Sequence, residues 1–234
     1  MPLKIHHLQV SQSERIVWLC EELGIDYELV IHKRAPLLSP PAIKALNPLG
    51  AAPVMEDDTG GKYVKLAESA AVAEYIVRKH GGNRLFLGPE HENYPDFLYW
   101  FHAANGTVQP IASRLMSLVM MDPSRTSPVV KAYQGRLDLV LKLLDGRLAS
   151  NQWLAGKEFT AADCMTLFTF TTMRAFYQYD LTGYDNILAW MKHCSERPAY
   201  KRAMEKGDPE TDVQGQLQAK SRPAFQGIEA IAGR

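Results

Sequence analysis

The hydrophobic pattern changes partway along this chain, and that change limits the folds that the chain can adopt. Residues 1–82 carry short apolar runs separated by prolines and glycines, which is typical of strands alternating with short helices. Residues 94–206 carry longer stretches with apolar residues at helical spacing. The sequence therefore predicts two domains of different fold class, joined by a linker over 83–93 and followed by a polar tail over 207–234.

The first domain has the element order of a small α/β fold. A strand over 3–8 precedes a helix, a second strand covers 27–31, and an irregular segment covers 35–53. A hairpin and a helix from about residue 68 complete it. This order predicts a thioredoxin-like domain in which the first two strands are parallel, because a crossover through a helix is right-handed.

The second domain shows helical periodicity throughout. Helices are predicted over 94–121, 127–150, 161–177, 186–195 and 198–206. The third of these is the most apolar, so we expect it at the centre of an all-α helical bundle. Thr160 and Asp163 have capping-box spacing at its start, which we interpret as structural.

Charge and composition disfavour several classes of function. Lysine plus arginine and aspartate plus glutamate both number 26, so the formal net charge is zero. Nucleic-acid binders and polybasic membrane-surface proteins usually have a basic excess, so neither class is favoured. The longest apolar runs are far shorter than the roughly 18 residues that span a bilayer, and the first residues have no signal-peptide pattern.

Cysteines and histidines show no metal or disulfide pattern. Cys20, Cys164 and Cys194 are widely spaced without a C-x-x-C motif, and the seven histidines have no ligand spacing. We therefore expect no metal site and a reducing, cytoplasmic location. The sequence also contains no Walker loop, G-x-G-x-x-G or G-x-S-x-G motif, so nucleotide binding and triad hydrolysis are not indicated.

Two serines stand between the first strand and the first helix. Ser11 and Glu14 fit the S-x-x-E capping box, in which the hydroxyl accepts from an unpaired backbone N–H. The same position suits a thiolate, because a helix N-terminus carries partial positive charge and a nearby hydroxyl can donate to sulfur. The sequence leaves both interpretations open, and Ser11 and Ser13 could share the two roles.

Two further segments allow a structural and a binding interpretation. Pro53 could simply begin a strand, or a cis Ala52–Pro53 bond could present the backbone of Val54 to an extended peptide. Glu68 and Ser69 could cap the following helix. Alternatively, they could hold an ammonium and a carboxylate at its N-terminus, which together match an amino-acid head group.

Taken in order, these segments resemble the cytosolic glutathione transferase family over roughly residues 3–206. The resembling stretches are 11–15, 21–24, 46–50 with Pro53 and Val54, 67–69 and 156–163. The stretch 99–106 with Pro110 looks like the start of the helical domain in the fungal and bacterial Gtt-like branch. The resemblance implies the glutathione transferase fold, a homodimer, and a cytoplasmic detoxification enzyme that conjugates the thiolate of its co-substrate glutathione to small hydrophobic electrophiles.

The resemblance also implies roles for individual residues. Ser11 falls where serine-type members place the hydroxyl that activates the thiol, and Ser13 is the competing candidate. The implied glutathione-binding residues are Ala52, Pro53, Val54, Glu68 and Ser69. The candidate electrophile-binding residues, chosen by position on the first long helix, are Trp100, His102, Asn105 and Thr107.

The chain departs from the family pattern in two places. Many serine-type members carry a basic or amide residue just before the cis-proline segment, where this chain has Gly50-Ala51-Ala52. We therefore expect Lys33 or Arg34 to supply part of the glutathione contact. Thioltransferase-like classes place cysteine where this chain has Ser11, which disfavours mixed-disulfide chemistry. Two alternatives to conjugation stay open: glutathione-dependent peroxide or disulfide reduction, and a non-catalytic binding or regulatory protein on this fold.

Overall fold

The described chain divides into two units. The structure, a computed structural model, describes residues 3–35 and 38–220. One unit runs up to His91 and includes Ser195–Thr211, and the other comprises Glu92–Cys194 and the segment from Asp212. The helices in chain order are α1 (Glu14–Leu23), α2 (Pro41–Leu46), α3 (Ser69–Lys79), α4 (Tyr94–Ala103), α5 (Gln109–Met121), α6 (Pro128–Leu148), α7 (Ala161–Phe170), α8 (Asp185–Glu196), α9 (Pro198–Gly207) and α10 (Val213–Gln216).

The first unit is built on a four-stranded mixed sheet. Its strands are β1 (Lys4–Leu8), β2 (Glu28–His32), β3 (Val54–Asp57) and β4 (Val64–Ala67), in the order β2-β1-β3-β4. β1 and β2 are parallel, and β3 is antiparallel to both β1 and β4. The predicted thioredoxin-like order and the parallel first pair are confirmed.

The end of α1 and its packing follow from its sequence. Gly24 adopts a φ of 60°, and its N–H reaches the carbonyl oxygens of Cys20 and Glu21, which ends the helix. The α1 surface packs against α9, where Tyr200 meets Trp18 edge to face at a centroid distance of 5.0 Å. Arg197 also donates two hydrogen bonds, of 2.6 and 2.8 Å, to the carboxylate of Glu22. The residues after 195 thus fix the first helix of this unit.

The second unit is helical over its described residues. Every residue of α7 is buried, as its apolar sequence predicted, and Thr160 and Asp163 form the predicted capping box at its start. Two of the predicted helices are interrupted. The predicted helix 94–121 contains a single π-helical turn over Ala104–Val108, and the predicted helix 161–177 ends at Phe170 before a 3-10 turn. No described helix combines the length and hydropathy needed to cross a bilayer.

The predicted tail contains ordered structure in its described part. Gly207 is the last residue of α9, Asp208 is buried in the first unit, and α10 lies in the second unit. Arg174 donates hydrogen bonds of 3.0 and 2.8 Å to the carbonyl oxygens of Gln218 and Ala219. Residues 221–234 lie outside the described residues.

Candidate active site

The turn between β1 and α1 brings two serine hydroxyls into contact. Oγ of Ser11 lies 2.8 Å from Oγ of Ser13 and accepts the backbone N–H of Ser13 at 3.2 Å. The N–H of Glu14 donates to the backbone carbonyl of Ser11, and the N-cap residue Ser13 makes no side-chain capping bond. The Ser11 hydroxyl therefore accepts the N–H of Ser13 at the helix start, rather than the N–H of Glu14 that the S-x-x-E capping box requires.

The two serines differ in how much of their surface is exposed. Ser11 keeps 7% of its surface accessible, whereas Ser13 is 0% exposed. Oγ of Ser13 accepts the backbone N–H of Leu8 at 3.0 Å and lies 2.8 Å from Nδ1 of His7. Of the pair, Ser11 is therefore the less enclosed residue, and Ser13 supports it from inside.

A buried imidazole and a buried carboxylate lie behind the serines. Nε2 of His7 is 3.0 Å from Oδ2 of Asp208, and the two side chains are 0% and 2% exposed. No linear hydrogen bond joins the two atoms, and the contact is an ion pair only when the ring carries a second proton. The other carboxylate oxygen of Asp208 accepts the backbone N–H of Val10 at 2.7 Å.

Val10, directly before Ser11, has a strained backbone. Its φ is 53°, which is unfavourable for a β-branched residue and costs on the order of 1–3 kcal/mol. Asp208 holds its N–H, and Arg34 donates to its carbonyl oxygen at 2.8 Å and to that of Gln9 at 3.1 Å. These contacts hold Ser11 in position. They also give Arg34 a structural task, so its own contact with glutathione stays a prediction.

The segment before β3 contains the predicted cis bond. The Ala52–Pro53 peptide is cis, and the carbonyl oxygen of Ala52 accepts the side-chain amide of Gln12 at 3.1 Å. Val54 then opens β3, with His6 and Ala67 as its register partners. Gln12 thus links the start of α1 to the cis-proline segment. Binding of glutathione by Ala52, Pro53 and Val54 stays a prediction.

The start of α3 combines strain with positive charge. Glu68 has φ 70° and ψ 111°, an outlier for a residue with a side chain, and leaves its carboxylate exposed. Ser69 is buried at the helix N-terminus, and a guanidinium nitrogen of buried Arg15 lies 3.5 Å from its Oγ. Burial lowers the pKa of Arg15 to about 9, so an incoming carboxylate would be a favourable neighbour.

The four candidate electrophile-binding residues differ in exposure. Trp100 on α4 is buried, His102 on α4 is exposed, and the π-helical turn carries half-buried Asn105 and exposed Thr107. Single π-helical turns occur frequently at functional sites. The contact of these residues with an electrophile stays a prediction.

The state of the cysteines bears on thiol chemistry by the chain itself. Cys20, Cys164 and Cys194 are free thiols, and all three are buried. Burial raises the pKa of the Cys20 thiol, which keeps it protonated and unreactive. Within the residues that the structure describes, no group of three or more histidine, cysteine or carboxylate side chains could hold a metal ion.

Sequence reasoning missed His7, Gln12 and Asp208. His7 belongs to an adjacent pair on β1, whose two side chains point to opposite faces, and nothing in the spacing marks it. Asp208 contacts His7 across most of the length of the chain, so no local periodicity could connect them. The S-x-x-E pattern contained a usable signal at Gln12, since this residue lies between the two serines.

Comparisons with known proteins match both parts of the chain. The glutathione S-transferase N-terminal domain matches residues 11–79, and the glutathione S-transferase C-terminal domain matches residues 108–198. Glutathione S-transferase 3 of Schizosaccharomyces pombe is 35% identical over 222 residues, which cover 88% of this chain and 88% of that protein. A glutathione S-transferase crystal structure from Actinobacillus pleuropneumoniae has a TM-score of 0.77 and 26% identity, covering 92% of this chain and 98% of that one.

A further solved structure shows the same fold with a ligand. A glutathione transferase family member from Pseudomonas fluorescens, with two glutathione molecules bound, has a TM-score of 0.72 at 19% identity, covering 87% of this chain and 92% of that one. At this identity the likeness concerns the fold alone. The sequence match covers most of the chain, and the two domain matches agree with its thioredoxin-like and helical units. This chain therefore belongs to the glutathione S-transferase family.

Proposed function

We propose that this chain is a serine-type glutathione transferase in which the Ser11 hydroxyl donates to the sulfur of bound glutathione and favours the thiolate. The thiolate then forms a carbon–sulfur bond with a small hydrophobic electrophile as the carbon's bond to its leaving group breaks, so that an aryl halide releases a halide ion. The observation that carries this proposal is the contact between two serine hydroxyls at the start of α1, where Ser11 is 7% exposed and Ser13 is 0% exposed.

The start of α1 suits a thiolate for two reasons. A free thiol has a pKa of about 8.5, and thiols beside helix N-termini and hydrogen-bond donors have values of roughly 3.5–7.5. Ser11 lies just before the first turn of α1, which supplies the partial positive charge of a helix N-terminus, and its own hydroxyl is the donor. Each pKa unit corresponds to about 1.4 kcal/mol of stabilisation of the thiolate over the thiol.

The start of α3 suits the γ-glutamyl end of glutathione. Ser69 and the α3 N-terminus can donate to a carboxylate, with the buried guanidinium of Arg15 adding positive charge. The exposed carboxylate of Glu68 can hold the ammonium group of the same amino acid. The strain at Glu68 supports a binding role, because strained residues concentrate at ligand sites. The Schizosaccharomyces pombe relative, which is named a glutathione S-transferase, supports the same ligand for this chain.

Three finer features complete the proposal. The protein acts as a homodimer, works in the cytoplasm and removes reactive electrophiles. The family supports each of them, since its members resemble this chain over most of its length. The buried thiols favour conjugation over a mixed-disulfide reaction.

The test is replacement of Ser11 by alanine, with Ser117→Ala as the matched control. Ser117 is an exposed serine on α5, so its loss should change nothing. We expect S11A to raise the pKa of the bound thiol and to lower kcat/KM with an aryl halide by about ten- to hundredfold, the value of a hydrogen bond to a charged group. The thiolate is followed by its ultraviolet absorbance.

Parallel assays with an organic hydroperoxide and a mixed disulfide separate conjugation from reduction. Unchanged turnover and an unchanged thiol pKa in S11A would remove Ser11 from the mechanism. Failure of the wild-type protein to bind glutathione or to act on any of the three substrates would favour a non-catalytic protein on this fold.

A further inference from the structure

The contacts behind Ser11 form a continuous chain into the interior of the first unit. Oγ of Ser11 is 2.8 Å from Oγ of Ser13, which is 2.8 Å from Nδ1 of His7. The other ring nitrogen of His7 lies 3.0 Å from the carboxylate of Asp208. Ser13, His7 and Asp208 are all buried, so water does not interrupt the series.

We propose that His7 takes up the proton that the glutathione thiol releases, by way of Ser11 and Ser13, and that Asp208 holds the resulting imidazolium. This inference rests on the proposed function, because it requires a thiol that faces Ser11. His7 and Asp208 act through the serines and are therefore positioning residues, while Ser11 alone of the four touches the sulfur.

The transfer balances without any further reactant. The thiol proton passes to Oγ of Ser11, the former hydroxyl proton of Ser11 passes to Ser13, and that of Ser13 passes to Nδ1 of His7. One S–H bond and two O–H bonds break, and two O–H bonds and one N–H bond form. The products are a thiolate that accepts the Ser11 hydroxyl and an imidazolium that faces a carboxylate.

The hydrogen bonds at Ser13 permit both the starting and the final state. At the start, His7 carries its proton on Nε2 and accepts the Ser13 hydroxyl at Nδ1. At the end, Nδ1 donates to Ser13, and Ser13 donates to Ser11. Oγ of Ser13 accepts the backbone N–H of Leu8 at 3.0 Å in both states. The Leu8 carbonyl, 3.2 Å away, is the more distant alternative for the Ser13 proton.

Charged and dipolar groups lie around the His7 ring. Asp208 supplies a full negative charge at ion-pair distance. The C-terminal end of α9 carries partial negative charge and lies against the ring. Gly207, its last residue, is so close that an added Cβ atom would lie 3.0 Å from Nε2 of His7. The opposing groups are Arg34, which faces Asp208, and His32 on β2, whose pKa is lowered by burial and by the neighbouring His6 and His7.

The first experiment observes the imidazole directly in the wild-type protein. Histidine labelled with nitrogen-15 reports by NMR which ring nitrogens carry protons. At a pH where bound glutathione is ionised, we expect His7 to be neutral in the free protein and doubly protonated in the complex. S-methylglutathione, which has no thiol proton to give, should leave His7 neutral. A neutral His7 beside an ionised thiol would overturn the proposal.

The second experiment counts protons by calorimetry in buffers of different ionisation enthalpy. Wild-type protein should release no proton to the buffer when glutathione binds, since His7 retains it. In His7→Gln, any thiolate that forms must release its proton to the buffer. Equal proton release by the two proteins at equal thiolate content would contradict this transfer of the proton to His7, which we call the relay.

A pH profile separates proton uptake from a merely structural role. His7→Gln and Asp208→Asn should each raise the pKa of the bound thiol and lower kcat/KM at neutral pH by about tenfold, or about 1.4 kcal/mol. KM for glutathione should stay within about twofold, and activity should return at high pH. The matched control His6→Gln alters the neighbouring histidine, whose ring contacts His32 and Glu56. It should leave the profile unchanged. A loss that is the same at every pH would mean that His7 only supports the fold.

The results also separate the inference from the function it rests on. Wild-type protein that binds glutathione without ionising its thiol would remove the proposed function and the relay together. An ionised thiol that depends on Ser11 but not on His7 would remove the relay alone.

Discussion

The indole N–H of Trp190 donates to Oδ1 of Asp163 at 2.9 Å, and both side chains are fully enclosed in the second unit. The same oxygen accepts the backbone N–H of Leu154 at 3.0 Å, and the other oxygen accepts that of Thr160 at 3.0 Å. One carboxylate therefore joins α7, α8 and the loop before α7. Its role is structural, as its capping pattern predicted.

Replacement of Asp163 by alanine should strongly destabilise the protein. It leaves the N–H groups of Trp190, Leu154 and Thr160 buried without their acceptor, at about 1–3 kcal/mol each, so we expect a loss of at least about 3 kcal/mol in the free energy of unfolding. Urea unfolding measures it. The matched control is Asp185→Ala, an exposed aspartate in the first turn of α8, which should cost about 1 kcal/mol or less. Equal losses in the two variants would contradict the assignment.

Glu68 should be under backbone strain and in contact with glutathione at the same time. Glu68→Gly and Glu68→Ala both remove the carboxylate, so both should raise KM for glutathione to a similar extent. Glycine also removes the Cβ atom at φ 70°, so Glu68→Gly should be more stable than Glu68→Ala by about 1 kcal/mol. Thermal unfolding and initial-rate kinetics provide the two readouts. Alanine at least as stable as glycine would show that the backbone is relaxed there.

Acid should weaken the first unit through Asp57. Burial of this carboxyl would raise its pKa, but hydrogen bonds from Thr59, Lys79 and His80 outweigh burial and hold the pKa well below its usual range. Its stabilising contribution is therefore present above the usual value of about 3.9 and is lost as the pH falls through and below it. Asp57→Asn should be less stable than wild type near neutral pH, with the difference shrinking in acid. A difference that is constant with pH would count against this prediction.

The three cysteines should react slowly in the native protein. Cys20, Cys164 and Cys194 are all buried, and burial raises the pKa of Cys20 further from neutrality. A thiol reagent such as Ellman's reagent should modify none of them rapidly in buffer and all three after unfolding in guanidinium. Rapid native modification of one thiol would reopen a cysteine-based mechanism.

The proposed homodimer should be visible in solution. Leu139 and Leu143 lie one turn apart on α6 and are 66% and 53% exposed, which suits burial against a second copy. Sedimentation should give twice the chain mass of 26.3 kDa. Leu139→Glu with Leu143→Glu should shift the protein to the monomer mass, while Lys142→Glu, an exposed change on the same turn, should not. A wild-type monomer would exclude the dimer.

Local signals predicted much of the fold. The capping box at Thr160 and Asp163, the α1 end at Gly24 and the β3–β4 hairpin all have their determinants within a few residues. The cis Ala52–Pro53 bond came from the family resemblance, because an X-Pro pair by itself rarely indicates a cis bond. The π-helical turn over 104–108 interrupts a stretch with ordinary helical periodicity, so the pattern could not reveal it.

The sequence predicted the site residues that stand at helix starts, but not the residues that support them from the interior. Ser11 and Ser69 stand at helix starts, where sequence patterns carry information. His7 and Asp208 come together through tertiary packing, and the strain at Val10 depends on contacts from Asp208 and Arg34. No local pattern in a single sequence shows that such distant residues will be in contact.

The bond from Asp208 to the Val10 N–H also bears on how the protein is made. A ribosome delivers residues 1–82 long before it reaches position 208, so the nascent domain emerges without the carboxylate that holds the turn of Ser11. An excised N-terminal fragment would have the same deficiency. The site is therefore assembled only after nearly all of the described chain has been synthesised.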